Sequence, residues 1–282
     1  MSRFEELTVS LPDGYEAYAR YWPAGTPRGA VLLHHGIQSH CGWYEGSPAR
    51  LAEAGYAVLQ MDRRGCGRNE KDRGHAESQE QLIEDALTAR DVLLTRSGCL
   101  RYHVVGVSWG GKLAVAVYVR APEAVASLTL VTPGLFPRIG VSREERARIG
   151  FAMLYEPLSR FDIPLNEPDL FTHVPKWQRF FREDPLTLRA CTASFYLASR
   201  RMDRTVSALR EAPPVPIHLM LAGEEHIIDN ERTASFLEGL GWPDVRITRY
   251  EHARHSLEFD VPDAFFRDLV AFLDGVEQRG AG

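Results

Sequence analysis

The chain has 282 residues, of which 44% are hydrophobic, and it carries a formal net charge of -5 at pH 7. This length suits one large domain or two small ones with a sizeable core. The acidic balance lacks the basic excess that binding to a nucleic acid backbone requires, so no nucleic acid partner is expected. The N-terminus has no apolar core of signal-peptide length, and no stretch reaches the roughly 18 apolar residues of a membrane span. We expect a soluble protein without stable membrane insertion, and the sequence does not indicate its oligomeric state.

Four cysteines lie far apart in the sequence, at Cys41, Cys66, Cys99 and Cys191. They form no C-x-x-C pair and no spacing typical of zinc ligands, so the sequence predicts neither a disulfide framework nor a metal site. Free thiols indicate a reducing compartment, and we therefore expect a cytoplasmic protein.

Short apolar runs alternate with longer segments of helical period, which predicts a mainly parallel sheet with crossover helices. The first two runs, 7–11 and 15–21, flank a Pro-Asp-Gly turn and predict an antiparallel hairpin. Ser78 and Gln81 resemble a capping box that begins a helix. The remaining strands are predicted at 30–33, 56–61, 102–107, 125–131, 217–222 and 245–250.

The alternation stops near residue 132 and resumes near residue 213. We therefore predict an α/β core at 1–134 and 213–282, interrupted before its seventh strand by a helical insertion at 135–212. Within the insertion, 143–151 and 185–201 are predicted to be helices, and no strand is expected. The insertion either packs against the core as a second domain or forms a lid, because insertions at the C-terminal edge of parallel strands lie where ligands bind.

The strongest motif is G-V-S-W-G-G at 106–111, between a predicted strand and a predicted helix. In this context G-x-S-x-G forms a sharp turn that exposes the serine at the strand end, so Ser108 is a candidate nucleophile. The helix N-terminus behind it supplies free N–H groups for a developing oxyanion. The alternative is a turn whose glycines serve geometry alone.

Two further stretches accompany this turn: H-H-G-I-Q-S-H-C-G-W-Y at 34–44 and D-R-R-G-C-G-R-N at 62–69. With the serine turn, they resemble the α/β-hydrolase superfamily, and within it the monoacylglycerol lipase and lysophospholipase-like serine hydrolases. The second stretch departs from that pattern, since Asn69 stands where a serine is usual. The resemblance implies that the backbone N–H groups of Ile37 and Trp109 form the oxyanion hole.

The general base is expected after the last strand, where the choice lies between His252 and His255. Histidine is the side chain whose pKa suits proton transfer near neutrality. The resemblance places the catalytic histidine after a small residue and one variable residue. That spacing selects His255, and His252 is expected to be an ordinary loop residue.

The triad acid is expected between the serine and the histidine, in the L-A-G-E-E-H-I-I-D-N stretch at 221–230. Counting forward from its glycine by the family's G-x-x-D pattern lands on His226, which cannot act as the acid. Aligning instead on the apolar pair favours Glu225, with Asp229 as the main alternative and Glu224 as a weaker one. A glutamate departs from the aspartate that the resembling families mostly carry.

These residues predict a serine carboxylic-ester hydrolase that works through an acyl-enzyme on a small-molecule acyl ester. The resemblance implies monoacylglycerols, lysophospholipids or medium-chain model esters as substrates, and no cofactor. An acyltransferase, a thioesterase or a carbon-carbon bond hydrolase would use the same triad. The alternative from another class is a noncatalytic binding protein with this fold.

Overall fold

The computed structural model describes residues 4–210, 215–241 and 244–280. Its strands, in chain order, are β1 (Glu5–Ser10), β2 (Glu16–Trp22), β3 (Gly29–His34), β4 (Tyr56–Met61), β5 (Tyr102–Val107), β6 (Val125–Val131), β7 (Arg160–Asp162), β8 (Ala190–Thr192), β9 (Ile217–Ala222) and β10 (Val245–Tyr250). An eight-stranded sheet has the order β1-β2-β4-β3-β5-β6-β9-β10. The pairs β1–β2 and β2–β4 are antiparallel, and the other neighbours are parallel. The predicted mixed sheet with a mainly parallel centre is confirmed.

From β3 to β10, one α-helix separates each strand from the next. The helices are α1 (Gly46–Glu53), α2 (Gln79–Ser97), α3 (Trp109–Arg120), α4 (Arg143–Tyr155), α5 (Pro175–Glu183), α6 (Ala193–Ser207), α7 (Asn230–Gly239), α8 (Leu257–Asp260) and α9 (Pro262–Gly280). Helix α2 begins where the sequence predicts, because Ser78 Oγ accepts a hydrogen bond from the N–H of Gln81 at 3.1 Å. It ends at Gly98, whose φ of 70° suits glycine.

The central strands are buried on both faces, and their side chains alternate between two apolar layers. In β3, Leu32 packs in the layer that contains residues of α3 and α7, whereas Leu33 packs in the layer that contains residues of α1 and α9. Strand β5 follows the same rule with Val104 and Val105. The sheet therefore lies between two layers of helices that cover its faces. The ends of its strands are not covered by these layers, and a site can form there.

The insertion differs in detail from the prediction. It contains a two-stranded antiparallel sheet of β7 and β8, whereas no strand was expected. The predicted helix at 185–201 is wrong at its start, because Thr192 caps α6 by accepting the N–H of Phe195. The preceding helix, α5, begins at Pro175 and was missed, although proline is favoured at this position. The predicted end of the insertion lies outside the described residues, and the domain division at 134/135 and 212/213 stays a prediction.

All four cysteines are free thiols; Cys99 is partly exposed and the others are buried. Across the ranges that the structure covers, no helix has the length and apolar character needed to cross a bilayer.

Candidate active site

Ser108 lies at the turn between β5 and α3. Its backbone has φ 53° and ψ −118°, and such a positive φ is rare for a residue other than glycine. The turn is tightly packed: a Cβ at Gly106 would lie 2.6 Å from the Gly110 carbonyl oxygen, and one at Gly110 would lie 2.3 Å from that of His34. The Ser108 N–H donates to the Val131 carbonyl at 2.9 Å. The turn therefore holds the serine at the strand end, where its side chain is partly exposed.

His255 lies in the loop after β10 and contacts both other residues of the predicted triad. Its Nε2 is 2.8 Å from Ser108 Oγ, and its Nδ1 is 2.9 and 3.1 Å from the two carboxylate oxygens of Glu225. The side chains of His255 and Glu225 are only 2% and 1% exposed. A proton on Nδ1 that is donated to Glu225 leaves Nε2 as the acceptor for the serine hydroxyl, which is the tautomer that a general base requires.

Glu225 is a buried carboxylate in the loop after β9. Its Oε1 also accepts the N–H groups of Ile227 and Ile228, at 2.7 and 3.3 Å. Burial by itself would raise the pKa of the carboxyl, but the charge and hydrogen bond of His255 and the two backbone donors outweigh it and lower the pKa. Glu225 is therefore ionised at neutral pH and can stabilise an imidazolium.

The other candidates in these two loops have different surroundings. Asp229 caps α7 by accepting the N–H of Arg232 at 3.0 Å, and its side chain is 37% exposed. Glu224 is 48% exposed and lies 3.8 Å from the Arg254 guanidinium. His252 is exposed. No hydrogen bond found in the described part of the chain joins these three to the Ser108–His255 pair, so the geometry favours Glu225 as the acid.

The two backbone groups expected to form the oxyanion hole flank Ser108. Trp109 begins α3, so its N–H precedes the hydrogen-bonded N–H groups of the helix. Ile37 follows Gly36, which is so close to the serine that a Cβ there would lie 3.4 Å from Ser108 Cβ and 3.8 Å from its Oγ. Among the described residues neither N–H has a hydrogen-bond acceptor, so both can donate to an oxyanion.

Aromatic rings from the insertion cover the histidine side of the site. Phe171 meets the His255 ring edge-on with centroids 5.9 Å apart, and it also contacts Phe181 at 5.7 Å. Trp43, from the core, stacks on Phe181 at 4.1 Å. These buried rings form an apolar wall beside the His255 imidazole.

Asp184 is a buried anchor between the insertion and the core. Its Oδ2 accepts His40 Nε2 at 2.9 Å and Trp43 Nε1 at 2.8 Å, and its Oδ1 accepts the N–H of Leu186 at 3.0 Å. The sequence does not single out this aspartate, since its two partners in the core lie 144 and 141 positions away. The only signal was His40, which belongs to the H-G-x-x-x-H stretch and serves here as a link to the insertion.

A second link joins α6 to the helix behind the nucleophile. Trp109 Nε1 donates to Ser199 Oγ at 2.9 Å, and Lys112 forms an ion pair with Asp203. The Trp109 ring also stacks on Phe195, with centroids 5.5 Å apart. The three α6 residues are spaced by four, so they lie on one face of the helix.

The Asn69 side chain is hydrogen-bonded to the start of the 62–69 turn and to β2. Its Nδ2 donates to the carbonyls of Asp62 and Arg63, at 2.7 and 3.2 Å, and its Oδ1 accepts the N–H of Tyr18 at 2.8 Å. The 62–69 turn is thus closed by an amide, and the departure from the pattern leaves the turn intact.

A mainly parallel sheet with a strained serine between strand and helix, and a histidine after the last strand, defines an α/β hydrolase. A family model described as "Serine aminopeptidase, S33" matches residues 25–262, and the chain belongs to that family. Mouse monoglyceride lipase is 24% identical over 266 residues, which cover 89% of this chain and 83% of the mouse protein. The putative carbamate hydrolase RutD of Variovorax paradoxus is 34% identical over 263 residues, covering 89% and 94%. Both the predicted fold and the predicted enzyme class, a serine hydrolase of the esterase and lipase type, are confirmed.

Solved structures support the fold. The monoacylglycerol lipase of Paleococcus ferrophilus superposes with a TM-score of 0.78 at 23% identity, and the match covers 93% of this chain and 99% of that one. The similarity therefore describes the fold over 93% of this chain.

Proposed function

We propose that the chain is a carboxylic-ester hydrolase that uses Ser108, His255 and Glu225 as its triad and an acyl-enzyme as its intermediate. The observation that carries this proposal is the continuous hydrogen-bonded chain from Ser108 Oγ through the His255 ring to the buried Glu225 carboxylate. It combines a nucleophile, a base and an orienting acid within hydrogen-bond distance.

In the first half of the reaction, Ser108 Oγ attacks the ester carbonyl carbon while its proton passes to His255 Nε2. The carbonyl oxygen becomes an oxyanion that accepts the N–H groups of Ile37 and Trp109. Glu225 stays ionised and stabilises the imidazolium. His255 then gives the proton to the alcohol oxygen, the C–O bond breaks and the acyl group remains on Ser108.

In the second half, water takes the place of the alcohol. His255 removes a proton from the water as its oxygen attacks the acyl carbon, and the same two N–H groups stabilise the second oxyanion. Collapse releases the carboxylic acid and returns the proton to Ser108. The cycle needs no group beyond the residues of this chain.

The proposed substrates are monoacylglycerols, with lysophospholipids and medium-chain esters as related candidates. The relatives named monoglyceride lipase and the apolar wall beside His255 both support an ester with an acyl chain. The Variovorax relative favours a second candidate, hydrolysis of a carbamate by the same nucleophile. The cytoplasmic location stays a prediction that rests on the cysteine pattern.

A fluorophosphonate probe and a substrate panel test this proposal. The probe should label the wild-type protein, and Ser108→Ala should abolish labelling and lower ester turnover by at least about 10⁴-fold. Turnover of p-nitrophenyl esters should rise with chain length from acetate to octanoate or beyond. A panel of monoacylglycerols and a simple alkyl carbamate, assayed for released acid and ammonia, separates the two substrate candidates.

Ser78→Ala is the matched control, because it removes a serine hydroxyl from the cap of α2, distant in sequence from the turn. This variant should be labelled and active like the wild type. A folded wild-type protein that the probe does not label, or labelling that persists in Ser108→Ala, would contradict the proposal.

A further inference from the structure

Arg63 is a buried guanidinium that has no carboxylate partner. It is 6% exposed, and within the described ranges no carboxylate oxygen lies within 4 Å of it. The next residue, Arg64, is equally buried but is paired with Asp85 and Asp13. Burying a cation is costly unless polar groups compensate for the lost water. The groups that Arg63 contacts should therefore reveal its purpose.

Its contacts converge on the two segments that supply the oxyanion donors. Arg63 donates from Nη1 to the Gly36 carbonyl at 3.3 Å and from Nη2 to the Ile37 carbonyl at 2.8 Å. Its Cζ lies over the Trp109 ring, 4.6 Å from the centroid, and over the Phe195 ring, 5.0 Å from the centroid. One side chain thus touches both the segment of the first N–H donor and the residue that bears the second.

The planarity of the peptide bond gives these contacts a consequence at the donor. The Gly36 carbonyl and the Ile37 N–H belong to the same rigid unit, so a group that fixes the carbonyl also fixes the direction of the N–H. The positive charge near the carbonyl oxygen polarises this peptide, which strengthens its N–H as a donor. Stacking on Trp109 restrains the residue at the other donor.

His35 supports the same peptide from a second direction. Its Nε2 accepts the backbone N–H of Arg63 at 3.0 Å, so Nδ1 carries the proton and donates to the Gly36 carbonyl at 2.8 Å. Burial and the adjacent Arg63 charge hold the pKa of His35 well below its ordinary value, which keeps the ring in this neutral form. The Gly36 carbonyl oxygen therefore accepts two hydrogen bonds, from His35 Nδ1 and from Arg63 Nη1.

We propose that Arg63 is a positioning residue for the oxyanion hole. Through its contacts with the Gly36 and Ile37 carbonyls and with the Trp109 ring, Arg63 holds the Ile37 and Trp109 N–H groups in the positions from which both donate to the oxyanion. This inference rests on the proposed function, because it assigns Arg63 a task in the same reaction. Arg63 does not touch the reacting atoms itself. Its loss should weaken stabilisation of the transition state more than binding of the substrate.

The test compares Arg63→Gln and Arg63→Lys with the wild type. Arg63→Gln should lower kcat for a p-nitrophenyl ester by about 10- to 100-fold and change KM by less than about threefold. The inhibition constant of a trifluoromethyl ketone, whose adduct places an oxyanion in the same hole, should weaken in parallel with kcat/KM. Arg63→Lys keeps the charge but cannot bind two carbonyls in the same way, so it should recover part of both losses.

Arg73→Gln is the matched control, because the Arg73 guanidinium also donates to backbone carbonyls, those of Gly67 and Leu186. It should lower thermal stability without changing kcat or inhibitor affinity.

Arg63 variants that fold and keep kcat and the inhibition constant within twofold would overturn the inference, as would equal losses in Arg73→Gln. If Arg63→Gln does not fold, the kcat of Arg63→Lys and its inhibition constant for the trifluoromethyl ketone test the inference by themselves. A wild-type enzyme whose turnover survives Ser108→Ala would instead refute the proposed function.

Discussion

At the scale of single residues, the site depends on a charge that water barely reaches. Glu225 keeps its ionised form because His255 and two backbone N–H groups surround the carboxylate with donors. Its pKa is lowered, so its contribution to stability is present above the unfolded value near 4.5 and is lost as the pH falls towards the folded value.

Glu225→Gln is expected to reduce kcat by about three to four orders of magnitude, as removal of the triad charge does in the comparable Ser-His-Asp case. The amide keeps the shape of the side chain but cannot stabilise the imidazolium. Steady-state kinetics on a p-nitrophenyl ester, with fluorophosphonate labelling rates, measure the effect.

Asp229→Asn is the isosteric control for this variant, since asparagine caps a helix as well as aspartate does. Its kcat should stay within about threefold of the wild type. The reverse pattern, a collapse in Asp229→Asn with near normal rates in Glu225→Gln, would transfer the role of the acid to Asp229.

The sequence predicts those site residues that are marked by local motifs. Ser108 follows from the glycine turn. The resemblance of the serine turn, the H-H-G stretch and the segment after the last strand to the family implies Trp109, Ile37 and His255. Arg63 could not be found in this way, because its partners are backbone carbonyls 26 and 27 positions away, which no residue type encodes. Contacts with the main chain are set by the fold and leave little trace in the sequence.

At the scale of elements, the core was easier to predict than the insertion. The bounds of β4, β5, β6 and β9 agree with the apolar runs because burial on both faces demands continuous apolar residues. The bounds of β10, a partly exposed edge strand, also agree with the prediction. In the insertion, β7 and β8 have three residues each, too few to display a period of two. The structure there is held by polar anchors such as Asp184, whose pairing is long-range.

Asp184→Asn is expected to lower the free energy of unfolding by about 2 kcal/mol, because the amide presents an N–H group to donors that need an acceptor. Urea denaturation at pH 7 measures the loss. Burial by itself would raise the pKa of Asp184. The hydrogen bonds from His40 and Trp43 outweigh this effect, so the pKa lies below its ordinary value. The wild type should therefore lose this advantage as the pH falls below about 4.

Glu183→Gln is the control at the neighbouring position, which is exposed, and it should stay within about 0.5 kcal/mol of the wild type. An Asp184→Asn protein as stable as Glu183→Gln would show that the anchor does not hold the insertion.

At the scale of the whole molecule, the carboxyl group of Glu258 links α8, near the C-terminal end of the sequence, to α1, near its N-terminal end. Glu258, three residues after His255, accepts the N–H and the hydroxyl of Ser47 in the first turn of α1, at 2.9 and 2.8 Å. Burial raises the pKa of Glu258 to about 7 in spite of these donors. Its contribution to stability is therefore greatest below the unfolded value near 4.5 and declines as the pH rises through 7.

Glu258→Gln should flatten this decline, since the amide does not titrate. Relative to the wild type, the free energy of unfolding of the variant should rise by about 2 to 3 kcal/mol between pH 5 and pH 8. Urea titrations at half-unit pH intervals give the difference curve. Parallel curves for the two proteins would mean that Glu258 does not titrate in this range.

The contact between α6 and α3 has a consequence for recombination among related enzymes. Trp109 bears a predicted oxyanion donor on its main chain and binds Ser199 with its indole, while Lys112 one turn later pairs with Asp203. A chimera that received a foreign insertion without a matching serine and aspartate would leave Lys112 buried and uncompensated. Transplanting a cap onto this scaffold to alter substrate range therefore requires co-transfer of the α3 residues that face it.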